Sequence, residues 1–317
     1  MSAPRSLRIG TRASALALWQ ARHVEALLRA QPGAPPVELV HIRTAGDVHS
    51  AVPLWQVDGR AFFTREIDSA LLEGRVDVAV HSLKDLATQM EPGLSLAATL
   101  TRADPRDALV SAGGTLAQLP RAARIGTSSL RRRAFLARLR PDARLLELRG
   151  NVPTRIERLQ SGHYDAIVLA AAGLVRLGLQ GHITEYLAPA SFPPAVSQGV
   201  IGVCARAEDA ATLRWLAPLD DRDARLTSSA ERALLKRLEG GCQVPLGALA
   251  VVQGQRLRLE ASVCALDGTR HLSASAEGAA SPGEAVALGI RVAEELLARG
   301  AGALIAQERA ARQVEEP

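Results

Sequence analysis

Short apolar runs alternate with amphipathic helical patterns through the first half of the chain. Leu7–Gly10 is apolar enough for a strand, and from Ser14 to about Arg29 the apolar positions recur at helical spacing. Val76–His81 is apolar at almost every position, as in a strand that is buried on both faces. This alternation of strand and helix predicts an α/β fold built on a parallel sheet.

A second series of strands and helices begins near Arg124 and continues to about Ala171. Polar, proline-containing segments at 101–106 and 191–195 separate this series from the sequence on either side. We interpret these segments as two crossings between neighbouring α/β domains. The two series look like similar units, although no internal sequence repeat is visible.

The pattern changes again at about Asp220. A helix is predicted over Thr227–Leu238, and three stretches of alternating polar and apolar residues follow, separated by glycine-containing turns. Two helical patterns, 282–299 and 301–312, complete the chain. This order predicts a third, α+β domain with an antiparallel sheet. The predicted domains are 1–100 with 198–219, 101–197, and 220–317.

Length and composition narrow the class of protein. The 317 residues, 47% of them apolar and 22% charged, are typical of a globular chain with two or three domains. The longest apolar run, 166–175, is too short to span a membrane, and the N-terminus lacks the apolar segment of a signal peptide. Three scattered cysteines fit neither a disulfide framework nor a zinc site. We therefore expect a cytoplasmic protein with no bound metal and no membrane contact.

The basic residues are almost all arginine. Lysine occurs only at Lys84 and Lys236, so 36 of the 38 basic residues are arginine. Codon usage is one explanation, and binding of carboxylates or phosphates by the forked guanidinium group is the other. The net charge of +5 permits nucleic-acid binding, but aromatic residues make up only 3% and no basic tail is present. Small anionic molecules are the favoured ligands.

Arginine is concentrated where the predicted strands end, which is where open α/β sheets bind ligands. Three consecutive arginines at 131–133 open a predicted helix, where each costs roughly 0.3–1 kcal/mol against the helix dipole unless an anion is bound. The alternative is that these arginines lie in solvent and pair with nearby acids. The strand-end groups are Arg12 with Ser14, Thr127 to Arg133, Arg149 with Asn151, Arg176, and His81 to Asp85.

Two further residues are candidates for chemistry. Asp85 is the only acid at these strand ends and follows Lys84, so it either forms a structural ion pair or stabilises a developing positive charge and moves a proton. Cys242 follows two glycines in a turn, which suits a covalent attachment point. Its alternative is a buried structural cysteine, the role expected for Cys204 and Cys264.

Six motifs in this order and spacing resemble the hydroxymethylbilane synthase (porphobilinogen deaminase) family: HSLKD, DPRDALVS, IGTSSLRR, LRGNVPTR, YDAIVLAAAGLVRLG and LEGGCQVPLG. The resemblance extends from Leu7 to about Gly302. It implies two periplasmic-binding-protein-like α/β domains around a cleft, followed by a smaller C-terminal α+β domain with an antiparallel sheet. A binding protein with the same two-domain fold would have no need of Cys242, and a nucleic-acid-binding protein would show salt-sensitive affinity for polyanions.

The resemblance also implies an activity. Four porphobilinogen molecules are condensed head to tail with loss of ammonia on an enzyme-bound dipyrromethane primer, and hydrolysis releases 1-hydroxymethylbilane for tetrapyrrole and haem biosynthesis. Cys242 would carry the dipyrromethane cofactor through a thioether. Asp85 would be the catalytic carboxylate that stabilises the azafulvene cation. Porphobilinogen is then the partner, with no nucleic acid, and the chain is expected to be a monomer.

The remaining site residues are carried over by resemblance. Residues expected to hold the cofactor are Lys84, Ser129, Arg131, Arg132 and Arg155, and residues expected to hold the substrate are Arg12, Ser14, Gln20, Thr127, Ser128, Arg149, Arg176 and Gln198.

The chain departs from the family pattern at a few positions. Asp58 to Phe63 lacks the usual Lys-Gly step, Leu86 to Thr88 differs from the usual VPT, Ser197 replaces a common glycine, and Cys204 replaces a common acid. Residues 47–64 are expected to form a lid over the cleft, and Ala61 is expected to stiffen it.

Overall fold

The computed structural model describes residues 6–44, 64–238 and 244–314, with side chains as far as residue 310. Cys242 lies outside these ranges, and so does the predicted lid except for Thr64. Within them, three sheets and their flanking helices account for three domains. None of the described helices is long and apolar enough to cross a membrane.

The first sheet has five strands in the order β2-β1-β3-β10-β4. Strands β1, β2 and β3 are parallel, as the strand–helix alternation predicts, and β10 runs antiparallel to both of its neighbours. The strands are β1 Leu7–Thr11, β2 Val37–His41, β3 Val78–Ser82, β4 Leu94–Thr99 and β10 Ile201–Arg206. The flanking helices are α1 Ala15–Arg29, α2 Arg65–Leu72 and α6 Ala210–Leu216.

The second sheet also has five strands, in the order β7-β6-β8-β5-β9. Strands β6, β7 and β8 are parallel, and β5 runs antiparallel to β8 and β9. The strands are β5 Asp107–Ser111, β6 Arg124–Gly126, β7 Arg144–Leu146, β8 Ala166–Ala170 and β9 Glu185–Tyr186. The helices are α3 Leu130–Leu139, α4 Val152–Gln160 and α5 Ala171–Arg176.

The two five-stranded sheets share one plan, which confirms the prediction of two similar units. In each sheet the fourth strand in spatial order follows a crossing from the other domain and is antiparallel to its neighbours. The sequence pattern places Cys204 in an apolar strand of the first domain, now β10, but predicts neither β5 nor the antiparallel direction of the two exchanged strands, β5 and β10. Apolar clusters cover both faces of each sheet, which is why the strands have few polar positions.

The third domain has the predicted antiparallel meander. Its strands are β11 Leu246–Gln253, β12 Arg256–Cys264 and β13 His271–Ala279, and its helices are α7 Arg222–Arg237, α8 Pro282–Ala298 and α9 Ala301–Val314. One hydrophobic core joins the sheet to α7 and α8. Helix α7 begins five residues before the predicted start at Thr227, because the Asp221 side chain accepts a hydrogen bond from Ala224 N at 2.8 Å and caps an earlier, polar turn.

One carboxylate joins the third domain to both crossings. Glu231 on α7 is fully buried, and Arg102 of the first crossing donates to its Oε1 at 2.6 Å. Ser197 N of the second crossing donates to Oε2 at 2.6 Å, and Ala250 N of β11 donates to Oε1 at 2.8 Å. The third domain and both crossings therefore meet at a single side chain.

Candidate active site

Asp85 lies at the edge of the first sheet where β3 ends. A single helical turn, Leu83–Asp85, follows β3, with Leu83 buried and Asp85 exposed. Leu83 N donates to Val200 O at 3.0 Å, and the Gln20 amide donates to Ser82 Oγ at 2.9 Å. These bonds hold the turn in place, so the Asp85 carboxylate projects from a fixed position.

Lys84 is within electrostatic reach of Arg131, Arg132 and Asp107 in the second domain. Its Nζ is 3.4 Å from Gln198 Oε1, and the side chain is half-buried. Burial lowers the pKa of Lys84 to about 8, against the opposing attraction of Asp85. Lys84 is therefore a cation at neutral pH that loses its proton in mildly alkaline solution.

Arg131 and Arg132 turn inward from the first turn of α3 and share one carboxylate. Arg131 Nη2 is 2.7 Å from Asp107 Oδ2, and Arg132 Nη2 is 2.7 Å from Asp107 Oδ1. Arg131 also donates to Pro193 O at 2.7 Å, and Arg132 to Val168 O at 2.9 Å. Both arginines are buried, so the solvated alternative is wrong for them; the adjacent Arg133 is exposed.

Asp107 is a site residue that the sequence argument missed. It lies at the start of β5, opposite Ala170 at the end of β8, because β5 is antiparallel. The first residue of an antiparallel strand thus reaches the edge formed by the carboxyl ends of the parallel strands. Burial by itself raises the pKa of Asp107, but Arg131 and Arg132 outweigh it and lower the pKa to about 2. The DPRDALVS motif contains the signal, an acid that immediately follows a crossing.

Arg155 connects this cluster to Asp85. It lies in the first turns of α4, whose N-cap is Asn151, and its Nε donates to Gly150 O at 2.8 Å. Burial lowers the pKa of Arg155 to about 10, with Arg132 adding to the shift, and Asp85 opposes it. An arginine of the second domain is therefore within electrostatic reach of the carboxylate of the first.

The hydroxyl groups before α3 bond within their own loop. Ser129 caps α3 and accepts from Arg132 N at 3.4 Å, and Thr127 Oγ1 accepts from Ser129 N at 3.2 Å. Ser128 Oγ donates to Leu148 O. These bonds set the conformation of the loop beside the arginines, and the contacts of the hydroxyls with substrate stay a prediction.

The remaining predicted residues lie around this cluster. Ser14 caps α1 and accepts from Ala17 N at 3.4 Å, and Arg12 is half-buried near His81. Arg176 Nη2 donates to Gly199 O at 2.7 Å, away from the Asp107 pair. Arg149 is half-buried, and its charge lowers the pKa of Arg155.

The two described cysteines have the structural role predicted for them. Cys204 and Cys264 are buried, and burial raises the pKa of their thiols to about 12 and about 11. In the described ranges, no three His, Cys, Asp or Glu side chains form a group that could hold a metal ion.

The cluster is cationic overall. It comprises the cations Lys84, Arg131, Arg132, Arg149 and Arg155 and the carboxylates Asp85, Asp107 and Glu147. The buried Arg131 Nε has no hydrogen-bond partner among the described residues. The fold and the site together indicate an enzyme with two α/β domains and a third domain, in which a cationic cluster suited to small polycarboxylates lies beside the exposed Asp85.

Comparison with known proteins identifies the family. A family model described as porphobilinogen deaminase, dipyromethane cofactor binding domain, matches residues 7–214, and the porphobilinogen deaminase C-terminal domain matches residues 225–298. The porphobilinogen deaminase of a Roseiflexus species is 53% identical over 303 residues, covering 95% of this chain and 99% of its own. That of Trichlorobacter lovleyi is 47% identical, covering 96% of each chain. A solved ancestral arginine-binding protein has a TM-score of 0.37 and 17% identity, covering 68% of this chain and 91% of its own.

The chain belongs to the porphobilinogen deaminase family. It is a transferase of tetrapyrrole biosynthesis that condenses porphobilinogen into hydroxymethylbilane and uses a dipyrromethane cofactor linked to cysteine. The fold and activity expected from the motifs are confirmed.

Proposed function

We propose that Asp85 is the catalytic carboxylate of this reaction and that Cys242 anchors the dipyrromethane. The position of Asp85 carries the proposal: it is exposed at the sheet edge, next to Lys84 and within electrostatic reach of Arg155 from the other domain. The buried thiols of Cys204 and Cys264, with their raised pKa values, are poor attachment points and so favour Cys242.

The residues beside Asp85 fit the acidic side chains of a dipyrromethane. Lys84, Arg131, Arg132 and Arg155 would hold its acetate and propionate groups, with Ser129 at the head of α3. The excess of cations in this cluster supports the assignment, because guanidinium and ammonium groups pair with carboxylates. When bound, the cofactor supplies the free pyrrole α-carbon to which the first substrate is joined.

Asp85 acts on the incoming porphobilinogen. Its carboxylate accepts hydrogen bonds from pyrrole N–H groups and so orients the ring. The aminomethyl group reacts as its ammonium form: its carbon–nitrogen bond breaks, neutral ammonia leaves with the bonding electron pair, and the positive charge stays on the substrate pyrrole. The fixed carboxylate stabilises that charge. Arg12, Ser14, Gln20, Thr127, Ser128, Arg149, Arg176 and Gln198 are proposed to hold the substrate and the growing chain.

Replacing Asp85 tests this assignment. Asp85→Asn keeps the size of the side chain and removes its charge, so we expect kcat to fall by at least ~10²-fold with little change in KM. Asp165→Asn is the control, because Asp165 pairs with Arg124 at the opposite edge of the second sheet. Near-normal kcat in Asp85→Asn, with the same fold by circular dichroism, would reject the role.

The domain boundaries, the oligomeric state and the cellular location of the protein are also part of the proposal. Domains of 1–100 with 198–219, 101–197 and 220–317 place each sheet within one domain. Each chain supplies its own cleft, which supports a monomer that acts without nucleic acid. The free thiols of Cys204 and Cys264 support a cytoplasmic location. Light scattering after size exclusion measures the oligomeric state directly.

A further inference from the structure

A groove lies where α1 of the first domain meets α5 of the second. Its volume is about 470 Å³. The lining residues are Ala15, Trp19, Arg22, His23, Arg176 and Leu177. Trp19 is 36% exposed, which is unusual for the largest apolar side chain, and it forms the floor on which the polar groups of the groove are arranged.

The groove combines an aromatic surface with cations. The His23 ring stacks on Trp19 with centroids 5.2 Å apart, and the Arg176 guanidinium is 5.7 Å from the Trp19 ring centroid. Arg22 is exposed, and among the described residues no carboxylate forms an ion pair with Arg22 or Arg176. A planar ring that carries carboxylates would find both a stacking surface and charge complementarity here.

The groove begins beside the active site. Ala15 follows the α1 cap Ser14, and Trp19 precedes Gln20, whose amide bonds Ser82 three residues before Asp85. Ala15, Trp19, Arg22 and His23 lie on one face of α1, because they are four, seven and eight residues apart. That face leads away from the sheet edge for about 10 Å.

We propose that this groove is an extension of the substrate site, which binds the carboxylates of pyrrole rings displaced from Asp85 as the chain lengthens. The inference rests on the proposed function. Each added ring brings two carboxylates, whereas Asp107 already neutralises part of the charge of Arg131 and Arg132. Arg22 and Arg176 supply cations for the rings that come later, and Trp19 supplies a face on which one of them stacks.

Elongation of the loaded enzyme, followed one addition at a time, tests the groove. Arg22→Gln and Trp19→Leu should leave the first addition unchanged and slow the third and fourth by at least about threefold, as native mass spectra of the enzyme–substrate complexes would show. Arg214→Gln is the matched control, because Arg214 is also exposed and lies 5.2 Å from a tryptophan ring, that of Trp215, outside the groove.

A binding measurement gives a second readout. A synthetic dipyrromethane with acetate and propionate side chains, titrated into the loaded enzyme, should quench tryptophan fluorescence. Trp19→Leu should remove most of that quench, and Arg22→Gln should weaken the apparent Kd at least about threefold.

The possible outcomes distinguish a failure of the groove proposal from a failure of the proposed function. Equal slowing of all four additions in Arg22→Gln, or the same late slowing in Arg214→Gln, would mean a general charge effect and would overturn the groove. An unchanged quench in Trp19→Leu would overturn it as well. Failure of the wild-type enzyme to form the series of complexes would instead contradict the proposed function.

Discussion

The guanidinium groups of Arg131 and Arg132 and the carboxylate of Asp107 lie together in a buried site at the start of α3. Such a group contributes little net stability when it is complete, since desolvation of the charges opposes their attraction. It is costly when one member is removed, because the remaining charges stay buried without a counter-ion. The DPRDALVS motif therefore has a physical role in this chain: Asp107 holds Arg131 and Arg132 at the edge where they face an acidic ligand.

Asp107→Asn should lower the free energy of unfolding by about 3–5 kcal/mol, because it leaves two buried arginines without a carboxylate. The pKa of Asp107 is about 2 in the folded protein, below the 3.8 of an unperturbed aspartate. Its contribution is therefore present above pH 3.8 and is lost as the pH falls toward 2.

Urea unfolding at pH 7 measures this loss. The surface variant Asp165→Asn should lose less than about 1 kcal/mol, because both partners of its ion pair are partly exposed to solvent. A loss in Asp107→Asn as small as that in the control would show that Arg131 and Arg132 do not depend on Asp107.

The lowered pKa of Lys84 predicts that the KM for porphobilinogen depends on pH. Because its pKa is lowered to about 8, it is charged below pH 8 and becomes neutral above it. The KM for porphobilinogen should rise above pH 8 in the wild type, as a cation for the acidic side chains is lost. Lys84→Arg stays charged and should move this rise to higher pH, whatever its effect on the absolute rate. The same alkaline profile in both proteins would assign the titration to another group.

The part of the candidate site that is formed by strand-end motifs could be predicted from the sequence. Arginines at the carboxyl ends of parallel strands were expected to meet, and Arg131, Arg132 and Arg155 do lie close to Lys84 and Asp85. The presence of Asp107 in the site could not be predicted, because its position at that edge depends on the antiparallel direction of β5.

At the scale of elements, the second crossing contains a strained residue. Ser197 has a φ of +61°, a conformation that favours glycine, and its buried hydroxyl has no hydrogen-bond partner among the described residues. Its backbone N–H is fixed by Glu231, so the conformation persists. The glycine expected here from the family resemblance would adopt this conformation without strain.

Ser197→Gly should raise the free energy of unfolding by about 1 kcal/mol, because relief of the strained backbone and of the buried hydroxyl exceeds the added freedom of the unfolded chain. Ser191→Gly, at an exposed serine of the same crossing without positive φ, should lower it by about 0.5–1 kcal/mol. Thermal and urea unfolding of both variants would decide. A stability loss in Ser197→Gly would show that strain is not the controlling factor.

Elements with a strong local pattern were predictable, and the exchanged strands were not. Helix α1 and the meander β11 to β13 follow from period and turn residues alone. Strands β5 and β10 have five and six residues, and each finds its partners only in the sheet of a domain reached by a crossing. Short apolar runs of this kind do not reveal their partners or direction.

At the scale of the whole molecule, Glu231 couples the third domain to both crossings through one buried carboxylate. Helix α7, which carries Glu231, ends at Arg237, five residues before Cys242 in the sequence. The contact of α7 with both crossings therefore ties the third domain, in which Cys242 is proposed to carry the cofactor, to the crossings between the two α/β domains. Two crossings could be predicted from sequence, but a contact between Arg102 and Glu231, 129 residues apart, could not.

Glu231→Gln should lower the free energy of unfolding by about 3 kcal/mol, because Arg102 loses its counter-ion in a buried site. Hydrogen exchange should increase in residues 191–200 and in β11 more than in the second sheet. Glu294→Gln, which breaks an exposed pair with Arg237, is the control and should change neither. Unchanged exchange in Glu231→Gln would mean that the domains are held together elsewhere.

The intact mass of the purified protein tests the central claim most directly. The claim is that one dipyrromethane, attached to Cys242, occupies a cationic cleft at Asp85 and primes the condensation. Wild-type protein should exceed the mass of its polypeptide by one dipyrromethane, and Cys242→Ser should have the mass of the polypeptide alone. A wild-type protein without the added mass, or a Cys242→Ser variant that retains it, would contradict the account.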